Sequence, residues 1–421
     1  MNASAKPFSW LNTEVHLCLL LAFYYGFTAI NIPEGGGDLE FWSKWAIYIR
    51  QHGIRHIYDL YAVPTPGDPP SFLYGPVHMY LLYFWGKWEG PIGQIQANPY
   101  QFKTIILLFD VIGIWFALRY MRNSASRPFY AIFLLFNIGL FYNTISWGQV
   151  DGAIACFILI ALYFALRGQI ALSGLGFVLA FLIKPQPVIF LPVLGILWLM
   201  TALKKSVWYI VWNVLGIGLG VLTLLWPFIE VGTLADYGDM LIHMNNIYPT
   251  VTVNAGNIWT LLFTINPNEV SDKLTQFGLS YKQWGLLMFA VSYALILFPL
   301  LRQFYQLRKG LRAAFDPSLV LLTAGLVPIV FYFFNTEMHE RYAYPSVLLL
   351  AAYALSSGDF IPYIIASVAN VWVMDKFLKL YGLYTHISLE LIAFLFLLVL
   401  VWGVVQLYRQ RSSTRPGVTF A

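Results

Sequence analysis

Apolar runs recur along almost the whole chain, near residues 11–32, 101–121, 128–146, 152–167, 170–184, 187–203, 206–228, 281–301, 318–335, 345–357, 360–377 and 388–408. A helix needs about 20 apolar residues to cross the hydrocarbon of a bilayer, so each run reads as a span, the shorter ones extending into flanking polar residues. Four polar islands sit at the ends of these runs: Gly35 to Glu40, Trp147 to Asp151, Lys184-Pro185-Gln186, and Met338 to Tyr342. Ionisable groups at such places are costly and usually have a task. A further run, Phe72 to Lys87, is ambiguous: it contains His78 and Gly75-Pro76 and follows a proline-rich stretch.

Charge placement resolves that ambiguity. With Phe72–Lys87 left out and the N-terminus cytoplasmic, 14 of the 25 Lys and Arg fall in short cytoplasmic segments: Lys6, Arg119 to Arg127, Arg167, Lys204-Lys205, Arg302 to Arg312 and the tail. That is the positive-inside pattern. The chain then reads as one domain over residues 1–421: an all-α polytopic membrane protein with about 12 transmembrane helices and a cytoplasmic tail over 409–421. Asp38, Asp151, Lys184 and His339 all emerge on the extracytoplasmic face. The first outer loop, about residues 34–100, carries interfacial helices: Leu39, Trp42, Trp45, Ala46 and Ile49 recur at helical spacing, as in a helix lying along a membrane surface. Phe72–Lys87 is a second such helix or a shallow re-entrant one. A second outer loop, about 229–280, is polar and rich in Asn (Asn245, Asn246, Asn254, Asn257). The first run is too long for a signal-peptide core and reads as an uncleaved span.

Composition agrees. Hydrophobic residues make up 59% and charged residues 11%, against about 25% charged in a soluble domain. Mean hydropathy is +0.66. The 15 Trp and 27 Tyr suit interfacial belts and sugar-stacking surfaces. Cys18 and Cys156 both lie in apolar runs, which argues against a disulfide framework or a zinc site. A net charge of +5 without a dense basic stripe argues against nucleic-acid binding.

Each island admits two readings. Asp38 is an N-cap of the following amphipathic helix, or a general base at the mouth of a membrane cavity, and the two are compatible. Trp147-Gly148-Gln149-Val150-Asp151 is a tight interfacial turn, or a sugar or acceptor contact in which Trp147 stacks while Gln149 and Asp151 bond hydroxyls. Lys184 is a lysine snorkelling from a helix end, or a point charge for a phosphate. His339-Glu340-Arg341 is the strongest island, since Arg suits a pair of phosphate oxygens and His can donate to one. A metal site there would need a second histidine such as His78 or His243 to approach in space. Asp110 lies mid-span, either paired within the bundle or part of a proton path.

These motifs, with Pro69-Pro70 and Tyr74-Gly75-Pro76 in a long first outer loop, resemble the GT-C superfamily of membrane glycosyltransferases that use polyprenyl- or dolichyl-phosphate sugars. Trp-Gly-Gln-x-Asp, Lys-Pro-Gln and His-Glu-Arg-Tyr look like those of the mannosyltransferases related to GPI-anchor mannosyltransferase II and their bacterial relatives. The resemblance implies a GT-C-like bundle and an inverting transfer of a hexose, mannose in that group, from a polyprenyl-phosphate donor to a lipid, glycan or protein hydroxyl. It implies no cofactor and no essential metal. Asp38 would be the catalytic base; His339, Arg341 and Lys184 would hold the donor phosphate; Trp147, Gln149, Asp151, Gln186, Glu340 and Tyr74 would shape the sugar or acceptor pocket. The implied location is a cell membrane, the inner one in a bacterium, with the site extracytoplasmic. A flippase for lipid-linked sugars would show pseudo-symmetric halves, and no such repeat is visible. A surface-polysaccharide polymerase or ligase differs in the size of its donor glycan.

Overall fold

In the computed structural model the described residues are 19–28, 37–62, 74–121, 124–243 and 248–409. The start of the first apolar run, Gly35, the Pro69-Pro70 pair, Asn245, Asn246 and the tail beyond 409 lie outside them. Fifteen helices organise the argument. They are α1 (Leu19–Thr28), α2 (Asp38–His52), α3 (Pro76–Glu89), α4 (Lys103–Leu118), α5 (Arg127–Leu135), α6 (Asp151–Leu166), α7 (Ile170–Phe181) and α8 (Leu191–Ala202). After these come α9 (Val207–Val231), α10 (Leu234–His243), α11 (Tyr281–Arg308), α12 (Pro317–Phe334), α13 (Pro345–Ser357), α14 (Ile361–Leu378) and α15 (Leu389–Arg409). Among the described residues the only sheet is a two-stranded hairpin, Thr275–Gln276 with Leu279–Ser280.

Among the described residues every run expected to span contains helix, yet only six helices are individually long and apolar enough to cross a bilayer, or seven with one bent pair. Helix length therefore carries an integral membrane protein but not a count of twelve spans. The bent pair is α5 with Ile138–Trp147, set at 42°. Its break has a local cause: the Asn137 side chain accepts from the Leu140 N–H, restarting the helix after Phe136. The second half then widens into π-helical turns over Phe141–Trp147.

The short helices matter most for the site. α6, α7 and α13 have 16, 12 and 13 residues, or roughly 18–24 Å, against a hydrocarbon core of about 30 Å. They pack inside the bundle, α6 against α4 and α7, and α13 against α12. Close approach relies on small residues: the Ser173 hydroxyl donates to the Ala161 carbonyl across α6 and α7, at 2.7 Å, and Gly113 of α4 lies between Leu348 and Cys156. The long helix α9 is the opposite case, almost wholly exposed along its length and presenting Trp208, Trp212 and Trp226 outward.

The first outer loop departs from expectation in one respect. α2 buries Leu39, Trp42, Trp45, Ala46 and Ile49, but against α3 and the short helix Ile92–Ala97 rather than lipid. Ala46 meets Gly86 of α3, and Arg50 donates to the Gly86 carbonyl at 2.8 Å. α3 itself has 14 residues and is not among the helices long and apolar enough to cross.

With α3 kept on one side, Gly90 and Ser124 fall on opposite faces of the membrane. Cysteines placed at each should react with an impermeant maleimide from opposite sides; labelling of both from one side would overturn the topology.

Candidate active site

The turn between the bent helix and α6 is built from its own backbone. The π-helical turns end at Gly148, whose φ of +80° is the left-handed conformation that glycine adopts without a steric penalty. The Gln149 N–H donates to the Asn143 carbonyl (2.9 Å), and the Asn143 amide donates back to the Gln149 carbonyl (3.2 Å). So fixed, Gln149 donates through Nε2 to Oδ2 of Asp38 at 2.6 Å. Asp151 opens α6 two residues later.

Asp38 is not an N-cap. It occupies the first helical position of α2, Gly37 stands at the cap, and no side chain bonds the free amides there. Its carboxylate points instead to Gln149 and to Arg341, 3.8 Å from Nη2.

Lys184 follows the end of α7, whose final carbonyls have no partner within the helix. The first outer loop supplies partners: the Gly75 N–H donates to Ile183 (2.8 Å) and the Val77 N–H to Leu182 (2.9 Å). A Cβ on Gly75 would lie 2.3 Å from the Leu182 carbonyl oxygen, so only glycine fits. This docking lays Tyr74 beside Lys184, whose ammonium sits 5.0 Å over the Tyr74 ring and 3.4 Å from Oδ2 of Asp151. The Lys184 side chain is 6% exposed, so it does not snorkel to water. Burial and then the Asp38 charge push the Tyr74 hydroxyl well up, keeping it a neutral donor.

The third part, residues 335–344, is held by the second outer loop. Val253 N–H donates to the Met338 carbonyl (2.9 Å), Glu337 N–H to Thr250 (3.0 Å), and Trp259 Nε1 to Asn335 (3.2 Å). Asn257 anchors that stretch by capping the short helix Ile258–Leu262. Glu337 takes a left-handed φ of +61° and pairs with Lys282 at 2.7 Å. The result presents Arg341 to three carboxylates: Glu340 at 2.8 Å, Asp38 at 3.8 Å and Asp151 at 3.8 Å. Its guanidinium lies 5.2 Å over the Trp147 ring. Burial works against the charge on Arg341, but Glu340, Tyr74, Asp38 and Asp151 together hold its pKa well above the usual arginine range. Burial also pushes the Glu340 carboxyl up, yet the nearby His339 ring, 3.8 Å from Oε2, and the Arg341 charge outweigh it and hold Glu340 below its ordinary range.

All four islands therefore meet in one cluster, with different roles from those their residue types suggest. Trp147 is 1% exposed, stacked on Phe377 at 5.5 Å on one side and under Arg341 on another, so it is a seat for Arg341 rather than a free sugar platform. Gln149 and Glu340 are fully buried and spent on Asp38 and Arg341. Gln186 lines a cleft beside Asp151 and Tyr342, walled by Phe190, Pro328 and Phe331. Among the predicted site residues Asp38 (32% exposed), His339 (17%) and Arg341 (14%) remain partly open, as does Gln186. Neither candidate second histidine approaches His339: His78 stacks on Tyr74, where burial and then Lys184 lower its pKa, and His243 pairs with Asp239. Sequence reasoning missed Phe377, Gly75 in its close-contact role, and the bracing role of the loop 248–257. None carries a local signal, because each acts through a partner distant in sequence.

No family model matches the chain, and no curated protein matches it either. Among solved structures, the chain is similar to ArnT from Cupriavidus metallidurans bound to undecaprenyl phosphate, with 15% identity over 96% of this chain and 78% of that one, at a TM-score of 0.46. The apo state of the same protein aligns over the same shares with 15% identity and a TM-score of 0.45. Neither likeness is close enough to assign a function, which rests on the side chains.

Two glycines test this construction. Gly148→Ala forces a side chain into a left-handed backbone and brings its Cβ 3.0 Å from Leu39, while Gly75→Ala drives a Cβ into the Leu182 carbonyl. Each should cost about 1–3 kcal/mol, read as a lowered thermal midpoint of the purified protein. Wild-type stability of Gly75→Ala would disprove the docking of the first outer loop.

Proposed function

We propose that the chain is an inverting glycosyltransferase that moves a hexose, mannose by its motif resemblance, from a polyprenyl-phosphate donor to a hydroxyl of a lipid, glycan or protein on the extracytoplasmic face. The observation that carries this is Asp38, the most exposed of three clustered carboxylates, oriented by Gln149 and set beside the partly buried Arg341. The acceptor oxygen attacks the anomeric carbon from the face opposite the phosphate. The carbon–oxygen bond to phosphate breaks, the electron pair leaves with the polyprenyl phosphate, and Asp38 takes the acceptor's proton.

Arg341 and His339 receive the phosphate. Arg341 keeps its short contact to Glu340 and turns the N–H groups that face Asp38 and Asp151 at longer range toward phosphate oxygens. Lys184, expected as a third phosphate ligand, is better placed to hold Asp151, and Asp151 to hold Arg341. The short helices set the charges at a depth a membrane-borne phosphate can reach. Mannose as the sugar rests on the Trp-Gly-Gln-x-Asp, Lys-Pro-Gln and His-Glu-Arg-Tyr motifs alone.

A panel of polyprenyl-phosphate monosaccharides, scored by release of polyprenyl phosphate and anomeric configuration of the product, tests the reading. Asp38→Asn keeps size and the Gln149 contact but accepts no proton, so turnover should fall by about two to four orders of magnitude with donor binding retained. Arg341→Ala should weaken donor binding roughly 10- to 150-fold, the loss of a charge-assisted contact of about 1.5–3 kcal/mol. Near-normal turnover in Asp38→Asn, or a retained anomeric configuration, would refute the mechanism.

A further inference from the structure

Two ionisable side chains of α4 are buried and lie outside the cluster described above. Lys103 is 0% exposed and Asp110 is 2% exposed. Seven residues apart, they stand two helical turns from one another on one face, about 10 Å along the axis. Burying either charge is expensive, so each position needs a physical reason.

Their surroundings supply one. The Lys103 ammonium donates to the carbonyls of Ile145 (2.6 Å) and Ser146 (3.3 Å), the last turns of the π-helical segment. Those carbonyls form the negative end of that segment, where a cation is favoured. Asp110 lies against Gly152 in the first turn of α6, so closely that a Cβ there would be 2.5 Å from Oδ1 and 3.7 Å from the Thr144 hydroxyl. The first turn of a helix carries amides without helical acceptors and favours a carboxylate. Asp110 Oδ1 faces Gly152, and its Oδ2 has no hydrogen-bond partner among the described residues. Between the two contacts run Trp147, Gln149 and Asp151.

We propose that Lys103 and Asp110 are positioning residues that grip the 147–151 turn at both ends, the cation on its leading carbonyls and the carboxylate at the start of α6. Together they fix Gln149 against Asp38 and Asp151 against Arg341. In a transferase their contribution falls on turnover through the orientation of Asp38, a consequence that rests on the function proposed above; the grip itself does not.

Hydrogen exchange on the purified full chain separates the two. In Lys103→Met, which keeps volume but donates nothing, amides of the 143–153 stretch should exchange faster by about tenfold or more, while the α12 amides remain as in wild type. Asp110→Asn, nearly isosteric, should raise exchange at 150–153 in the same selective way. If Lys103→Met does not fold, Asp110→Asn decides alone. Unchanged exchange at the turn, or a rise shared equally by α12, would overturn the proposal. With transferase activity in hand, both variants should lower kcat while leaving the donor KM within about threefold. Faster exchange with no activity in any form of the protein would keep the grip and discard the transferase.

Discussion

A guanidinium enclosed by three carboxylates is the constraint on which the rest depends. Arg341 is 14% exposed, and two of its three acid partners, Asp151 and Glu340, are almost wholly buried. An unpaired charge at that depth would cost several kcal/mol, so the elements bearing the partners are compelled to meet. α2 brings Asp38, α6 brings Asp151, and the loop after α12 brings Glu340 and Arg341 themselves. Lys184 then follows because Asp151 needs a second cation, and Tyr74 because Lys184 needs a face to rest on. Trp147 closes the set beneath Arg341, and its far side is stacked on Phe377 of α14.

Such a cluster can exist within a membrane only if the helices around it stop early. α6 begins at Asp151, α7 ends just before Lys184, and α13 begins just after Tyr344. All three are shorter than the bilayer is thick, so their ends fall within the length spanned by longer helices such as α9 and α11. Such ends expose carbonyls and amides that need partners, since lipid offers none. The docking of Gly75 and Val77 onto the end of α7 answers one part of that need, and the loop 248–257 on residues 335–339 answers another. Both outer loops are therefore walls of the site, and α2, written in sequence as a surface helix, is buried because it forms one of them.

Much of this was legible in the order of residues and some was not. The positions of the apolar runs, the four polar islands and their common side are all consequences of hydropathy and charge, which act residue by residue. Span lengths were less so: a twelve-residue helix and a twenty-residue helix give similar apolar runs when polar residues flank them, as at 170–184. Roles were harder still. Asp38 reads as a cap from its place before an amphipathic helix, yet Gln149, distant along the chain, claims its carboxylate. Trp147 reads as a sugar platform from its type, yet Phe377 and Arg341 occupy its faces. Gly75 carries no local sign of the carbonyl it must clear. Each of these is decided by tertiary pairing, which no local window contains.

The charge count of the cluster gives its chemistry a direction. Three carboxylates, Asp38, Asp151 and Glu340, face two cations, Lys184 and Arg341. The nearby His339 ring and the Arg341 charge outweigh burial to hold Glu340 below its ordinary range, and Asp151 lies between both cations, whereas Asp38 meets Arg341 at 3.8 Å and the Gln149 amide. Asp38 is also the most exposed of the three carboxylates. Under the proposed transfer, one proton taken up by Asp38 would leave two carboxylates against two cations, and the negative charge departing with the phosphate would arise on the Arg341 side of the same cluster.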